Sequence, residues 1–149
     1  MRAVHDMNKK RHWLWNILIV LTLAFCLFAF VIHYKNWSKV EEGQFKIYSG
    51  IFRQNIALSS LDSISYVKRI PELERQTGFS WLEREKGVFK DSLTASKVHV
   101  FVDDLRQQKI RLVHHDSIKL FVNFSDSLQT QELFARLEAE ISERREDPK

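Results

Sequence analysis

Residues 97–124, KVHVFVDDLRQQKIRLVHHDSIKLFVNF, carry the pattern that decides the fold of this chain. Three runs rich in β-branched and aromatic residues are separated here by short polar stretches. Alternation of apolar and polar residues with a period of two, clearest in Lys97–Val102, is typical of β-strands. Because the connections are short, we expect neighbouring strands to pair in an antiparallel meander.

Weaker strand-like runs precede this stretch, and together they predict about seven short strands. A looser segment from Lys68 to Glu85 interrupts them, broken by Pro71 and Gly78. Gly78 and Gly87 stand where a turn or bulge would need a glycine. The predicted strands before residue 97 are 45–48, 52–58, 61–67 and 86–90.

The hydrophobic period changes after residue 125. Asp126, with Gln129 three residues later, resembles the capping box that begins a helix. The apolar residues that follow recur at helical spacing and form one face. We therefore expect a C-terminal helix whose apolar face closes the open end of the sheet, using Leu133, Phe134, Leu137 and Ile141.

The other end of the chain contains a long apolar run. Residues 13–34, WLWNILIVLTLAFCLFAFVIHY, include no Lys, Arg, Asp or Glu. About 20 such residues in a helix cross a hydrocarbon core of roughly 30 Å. We predict one uncleaved transmembrane helix with aromatic anchors at both interfaces. Those anchors are Trp13, Trp15, Tyr34 and Trp37.

Two alternatives for this run are disfavoured. A cleaved signal peptide needs a small-x-small site after its apolar core, and the following VIHYKNWSK has none. A lipoprotein would use Cys26, the chain's single cysteine, but a bulky Phe25 precedes it deep within the run. Cys26 is therefore expected to be a small buried apolar residue.

The net charge of +4 is distributed unevenly. Residues 1–34 contain four basic residues and one acidic residue, so the remainder is nearly neutral and has no global attraction to nucleic acid. The basic residues before the apolar run slightly outweigh those just after it. By the positive-inside rule we expect the N-terminus in the cytoplasm and the following domain outside.

The segments 70–72, 75–79 and 86–89, followed by the strands 97–102 and 110–113 and by Phe121-Val122-Asn123 leading into the 130–137 helix, resemble the bacterial pleckstrin-homology-like domain family. The resemblance covers roughly residues 45–141. It implies a mainly β, seven-stranded, partly open antiparallel barrel capped by one C-terminal helix. It also implies a bacterial inner-membrane protein with no cofactor and no known catalytic residues.

The resemblance also bears on lipid binding. Lipid-binding members of the wider superfamily grip inositol phosphates with a long basic loop between their first two strands. Here that link is the tight turn Ser49-Gly50, and we do not expect phosphoinositide binding. The predicted organisation is a basic leader (1–12), transmembrane helix (13–34), polar connector (35–44), pleckstrin-homology-like domain (45–143) and disordered tail (144–149).

No catalytic constellation is recognisable in the sequence. Adjacent residues on a strand point to opposite faces, so His114 and His115 should not chelate one ion together, and no carboxylate spacing completes a site with His99. The serines lack a G-x-S-x-G context, and four glycines leave no phosphate-binding loop. We therefore expect neither a metal, a cofactor nor an enzyme activity.

A partner contact is the more promising feature. Trp81 in a predicted loop is costly to leave bare and often marks an interface. The candidate partner or membrane-surface contact comprises Arg75, Phe79, Trp81, Arg84 and Lys86. The expected function is a non-enzymatic, membrane-anchored interaction module that binds a protein or assembles at the membrane surface. The alternative is a sensory module that binds a small molecule or a lipid headgroup.

Overall fold

The computed structural model describes residues 2–146 of the chain. These divide into two compact units, Met1–His33 and Tyr34–Lys149. Residues 2–146 form two helices, nine strands and a short 3-10 turn at Leu58–Ser60. The bounds are α1 Arg2–Tyr34, β1 Trp37–Glu41, β2 Gln44–Ser49, β3 Phe52–Ala57, β4 Leu61–Val67, β5 Leu73–Trp81, β6 Arg84–Asp91, β7 Lys97–Val102, β8 Lys109–His114, β9 Ile118–Asn123 and α2 Ser127–Glu146.

The first unit is the N-terminal part of α1. Its segment His12–Ile32 is the one helical stretch among residues 2–146 that is long and apolar enough to cross a membrane, with a mean hydropathy of 2.6. Its large apolar side chains are exposed along the whole segment, as expected of a helix whose natural surroundings are not water. The prediction of one N-terminal apolar helix of membrane-spanning length is confirmed.

The second unit begins with a three-stranded antiparallel sheet, β1-β2-β3. Glu42 and Gly43 both have positive φ, of 50° and 71°, and form the tight hairpin turn between β1 and β2. Residues 35–44, predicted as a polar connector, therefore contain a strand. The strand was not predicted because only Val40 of β1 is buried, and a single buried apolar residue produces no recognisable alternation.

The remaining strands form a six-stranded sheet in the order β4-β8-β9-β7-β6-β5. All neighbours are antiparallel except β7 and β9, which are parallel because β9 inserts between β7 and β8. Both sheets are open. The mainly β architecture with a C-terminal helix is confirmed, but the described chain has nine strands in two sheets, where seven strands in one barrel were predicted. Local alternation identifies strands without specifying which neighbours pair.

The two faces of the six-stranded sheet enclose separate cores. One core fills the space between the two sheets and α2, and includes Phe45, Ile47, Phe101 and Leu112. The second core lies on the opposite face and comprises Phe89, Val98, Val100, Val102 and Phe121. Residues 68–72 cross that second face as they connect β4 and β5, which are the two edge strands. We call residues 68–72 the strap.

The helix α2 begins and packs as its sequence indicates. Asp126 accepts a hydrogen bond from the Leu128 amide at 2.9 Å, which is the N-cap contact. Leu133 and Leu137 are buried in the first core, and the ring of Phe134 stacks on Tyr66 with 4.0 Å between centroids. The helix extends to Glu146, beyond the predicted domain boundary at 143. Of the predicted disordered tail, residues 147–149 lie outside the described residues.

Candidate functional site

The five predicted contact residues all lie on the β5–β6 hairpin. Arg75, Phe79 and Trp81 belong to β5 and are therefore strand residues, although the sequence suggested a loop. Phe79 pairs with Lys86, and Trp81 pairs with Arg84, across the hairpin. The structure thus brings four of the five together at one end of the hairpin, on one face of its two strands.

The exposed apolar residues at this end form a continuous feature of the hairpin. Trp81 is 57% exposed and Leu82, in the turn, is 79% exposed. Leu105 donates its amide to the Glu83 carbonyl at 2.8 Å, and Arg106 forms an ion pair with the Glu83 carboxylate. The loop that follows β7 therefore lies directly against the turn. We call Trp81, Leu82 and Leu105 the hairpin tip.

The hairpin tip lies beside the residue at which the chain enters the second unit. The Arg84 guanidinium carbon is 3.9 Å from the centroid of the Tyr34 ring, a cation–π distance. Tyr34 follows the apolar segment His12–Ile32 by two residues. Tyr34 is the first residue of the second unit, so this contact lies within that unit.

Arg75 and Lys86 take other roles. Arg75 donates to Ser80 Oγ at 2.6 Å, and its guanidinium lies 5.9 Å from the Phe89 ring centroid. Arg75 is thus held within the domain. Lys86 was predicted to be a surface residue, yet it is fully buried. Its burial could not be predicted from the sequence, because lysine in an alternating strand is normally assigned to the solvent face.

Lys86 belongs to a buried group of four polar residues. Its ammonium lies 2.7 Å from Asp103 Oδ1, and the two side chains are 0% and 2% exposed. The other carboxylate oxygen of Asp103 accepts the Asn36 amide at 3.1 Å. The Asn36 side chain donates to the carbonyls of Phe101 and Asn123, at 2.7 and 2.9 Å. We call Asn36, Lys86, Asp103 and Asn123 the polar clamp.

Asn123 fixes the unusual connection between β7 and β8. Its Oδ1 accepts the amides of Asp103 and Asp104, at 2.9 and 3.2 Å. Its Nδ2 donates to the carbonyls of Asp104 and Gln108, at 2.6 and 3.2 Å. One buried side chain therefore satisfies four backbone groups of residues 103–108, the loop that passes over the end of β9. This loop allows β9 to insert between β7 and β8.

The electrostatics of the clamp are those of a structural ion pair. Burial lowers the pKa of Lys86, and the Asp103 carboxylate acts in the opposite direction by stabilising the ammonium form. A lysine with a lowered pKa can be a nucleophile when a substrate reaches it. Lys86 has no exposed surface, so its pairing with Asp103 serves to join β6, the β7–β8 loop and the entry segment at Asn36.

A second buried lysine holds two loops together. Lys109 is fully buried, and its ammonium donates to the carbonyls of Lys68 and Gln107, at 2.9 and 2.6 Å, and to that of Leu105. Burial lowers the pKa of Lys109. The lysine connects the start of the strap to the β7–β8 loop. The partners of the buried ammonium are thus three backbone carbonyls and not a carboxylate, and no sequence motif predicts this arrangement.

The histidines are arranged differently from the prediction. His115 lies in a turn with a φ of 50°, so it does not continue the alternation of β8. As a result the Nδ1 atoms of His114 and His115 approach to 2.9 Å and share a hydrogen bond. Within the described part of the chain, no group of three potential ligands is positioned to hold a metal ion. Burial lowers the pKa of His99 to about 4, aided by the charge of Lys97.

Comparison with known proteins identifies no relative. No protein-family model, no curated protein and no solved structure matches the chain.

Proposed function

We propose that this chain is a non-enzymatic interaction module, held at a membrane by its N-terminal helix, whose hairpin tip binds a protein partner at the membrane surface. The main observation in support is that Trp81 and Leu82 are exposed at the end of a hairpin that the buried polar clamp holds in place. Exposed apolar side chains on a rigid element mark interaction surfaces, and tryptophan and arginine dominate the energetics of such surfaces.

The structural context explains why the tip would be a good binding element. Lys86 of the clamp lies two residues after Arg84, and Asp103 lies two residues before Leu105. The polar clamp therefore fixes the two segments that form the hairpin tip, namely the β5–β6 hairpin and the loop after β7. A preorganised surface loses little conformational entropy on binding, which favours affinity. Because the N-terminal helix tethers the chain, the proposed partner lies in or next to the same membrane.

Photo-crosslinking tests the partner contact. A benzophenone amino acid replaces Leu82 in the full chain in native membranes, and the matched control carries it at Leu93, which is 95% exposed in the β6–β7 turn at the opposite end of β6. We expect a discrete protein adduct from position 82 that is absent from position 93. Adducts with lipid alone, or the same proteins at both positions, would refute the protein contact.

The cellular location is a further part of the proposal. We propose a bacterial inner membrane, with the N-terminus in the cytoplasm and the domain outside, supported by the basic residues before the apolar segment. Reporters fused after Lys149 test it. Alkaline phosphatase activity without green fluorescence is expected; fluorescence of a green fluorescent protein fusion instead would place the domain in the cytoplasm.

We retain kinship with the bacterial pleckstrin-homology-like family as a proposal. A C-terminal helix that packs on a core between two sheets supports it. The parallel β7–β9 pair distinguishes this chain from the antiparallel barrel that the resemblance implies. An experimental structure of a family member with the same inserted strand would support the kinship, and a strictly antiparallel order throughout the family would oppose it.

A further inference from the structure

A cavity of about 530 Å³ opens on the second face of the six-stranded sheet. The strap forms one wall, the β6–β7 turn forms another, and side chains of β8 and β9 form the floor. Its volume is within the range of sites that hold small molecules. The cavity lies on the opposite face of the sheet from the core that packs against α2, and it is distinct from the hairpin tip and the polar clamp.

The charged residues around the cavity are predominantly basic. Arg69, Arg111 and Lys119 line it, together with Glu72 and Asp91. Lys119 and Asp91 neutralise each other through a contact of 2.6 Å. Asp91 also accepts hydrogen bonds from the backbone amides of Leu93 and Thr94, at 2.9 and 3.2 Å. The contact with Lys119, together with these two amide bonds, holds the pKa of the Asp91 carboxyl well below its usual range. Two arginines therefore face one free carboxylate, that of Glu72.

Arg111 supplies the group that a ligand would satisfy. Its Nε is buried and has no hydrogen-bond partner among the described residues. A buried donor without an acceptor is costly, and native structures rarely leave one unexplained. The planar guanidinium matches the geometry of a carboxylate or phosphate, which can accept two of its N–H groups at once.

The rest of the lining is apolar. Ile70 of the strap and Phe121 of β9 border the cavity; Phe121 belongs to the second core and Ile70 packs against that core. We propose that the cavity binds a small amphipathic anion, with its carboxylate or phosphate on Arg111 and Arg69 and its apolar body against Ile70 and Phe121. Such a ligand would join the strap to the sheet beneath it.

A carboxylate or phosphate beside an apolar body occurs in soluble amphipathic anions and in lipid headgroups alike. Asp91, which lines the cavity, is at the end of β6 opposite Arg84. At about 3.3 Å per residue, the length of β6 separates the cavity from the hairpin tip by roughly 20 Å.

Calorimetric titration of the full chain in phosphatidylcholine nanodiscs tests the site. The probes are 1-naphthyl phosphate and 1-naphthoate, with the neutral 1-naphthalenemethanol for comparison. We expect both anions to bind, and the neutral analogue to bind at least tenfold more weakly, a factor equal to about 1.4 kcal/mol. Equal binding of all three, or no anion binding at about 10 mM, would overturn the proposal.

Variants locate the binding. Arg111→Met should weaken anion binding at least tenfold, and Arg69→Met, at an exposed position that the fold does not need, should weaken it several-fold. Arg53→Met, an exposed arginine outside the cavity, is the matched control and should bind as the parent does. Unchanged binding in Arg69→Met and Arg111→Met would refute the site.

A final arm separates the two sources of the anion. With phosphatidylserine included in the nanodiscs, binding of 1-naphthyl phosphate should be unchanged if the natural ligand is soluble. Competition by phosphatidylserine would instead identify a lipid headgroup as the source of the anion. The outcome is independent of the protein contact proposed for the hairpin tip, because crosslinking at Leu82 does not involve the cavity.

Discussion

Asp103→Asn should destabilise the domain more than any other single isosteric change in the polar clamp. The substitution keeps a side-chain oxygen that can accept the Asn36 amide, but it removes the charge opposite Lys86. Because the two side chains are 0% and 2% exposed, water cannot replace the lost partner. Breaking a buried ion pair by removing one member costs about 3–5 kcal/mol of unfolding free energy.

Urea unfolding of the full chain in a mild detergent, followed by the circular dichroism of the strands, measures this loss. With a denaturant dependence of about 2 kcal/mol per M, the midpoint should fall by about 1.5–2.5 M. Glu41→Gln is the matched control, because it breaks the ion pair of Glu41 with Lys39, whose side chains are 43% and 64% exposed. Its midpoint should equal that of the parent.

The pH dependence of the variant provides a second measurement. Burial already lowers the pKa of Lys86, and loss of the carboxylate should lower it further. The folded variant would then bind fewer protons than the unfolded chain up to the ordinary lysine pKa. The difference in unfolding free energy between the variant and the parent should therefore shrink as the pH rises from about 7 to about 10. A midpoint within about 0.3 M of the parent, or a deficit that does not change with pH, would refute a buried ion pair.

Three further changes test other parts of the structure. Because His99 has a folded pKa of about 4, below its unfolded value of 6.5, protons favour the unfolded chain as the pH falls from about 6.5 to 4. His99→Gln should remove about 3 kcal/mol of that acid destabilisation, measured by urea unfolding at each pH, and a pH profile identical to that of the parent would contradict it. Gly87→Ala should lower the free energy of unfolding by more than about 1 kcal/mol in the same assay, since φ at Gly87 is +141° and the new Cβ would lie 2.2 Å from the Thr77 carbonyl oxygen. Ala135→Gly, on the exposed side of α2, is the control, and its loss of unfolding free energy should not exceed about 1 kcal/mol. Lys109→Met should lower the free energy of unfolding by about 1–3 kcal/mol, because it leaves buried carbonyls unpaired. Amide hydrogen exchange should increase only in residues 103–108 and in the strap. Unchanged exchange in these two segments would show that Lys109 does not hold them together.

Several features of the fold could be anticipated because their signals are local. The apolar segment, the alternation in residues 97–102 and the helix after Asp126 each depend on neighbours within a few positions. A strand with little alternation was harder to detect, as β1 and β5 show. Pairing with β2 and β6 supplies the hydrogen bonds that make these segments strands. Gly78 and Gly87 face each other directly in β5 and β6, and the β5–β6 register shifts between Arg75 and Thr77.

The candidate site was predicted only in part. Trp81 and Arg84 were found because an aromatic residue and a cation in a polar stretch are conspicuous, and the structure places both at the exposed end of the hairpin. Lys86 was assigned to the wrong environment, and Asn36, Asn123 and Lys109 were not recognised at all. Asn123 left no signal, since asparagine is common at the point where a strand ends.

An apolar N-terminal helix of membrane-spanning length, a mainly β domain and a helix near the C-terminus were all predictable from the sequence, because periodicity and composition act over short distances. The strand order, the insertion of β9, the strap over the second core and the burial of Lys86 and Lys109 became apparent only in the folded domain. These depend on partners far apart in the chain: Asn36 and Asp103, which bond to each other, are separated by 67 positions. A polar residue is stable in a core only where such distant partners satisfy it, and no local pattern records where they will be.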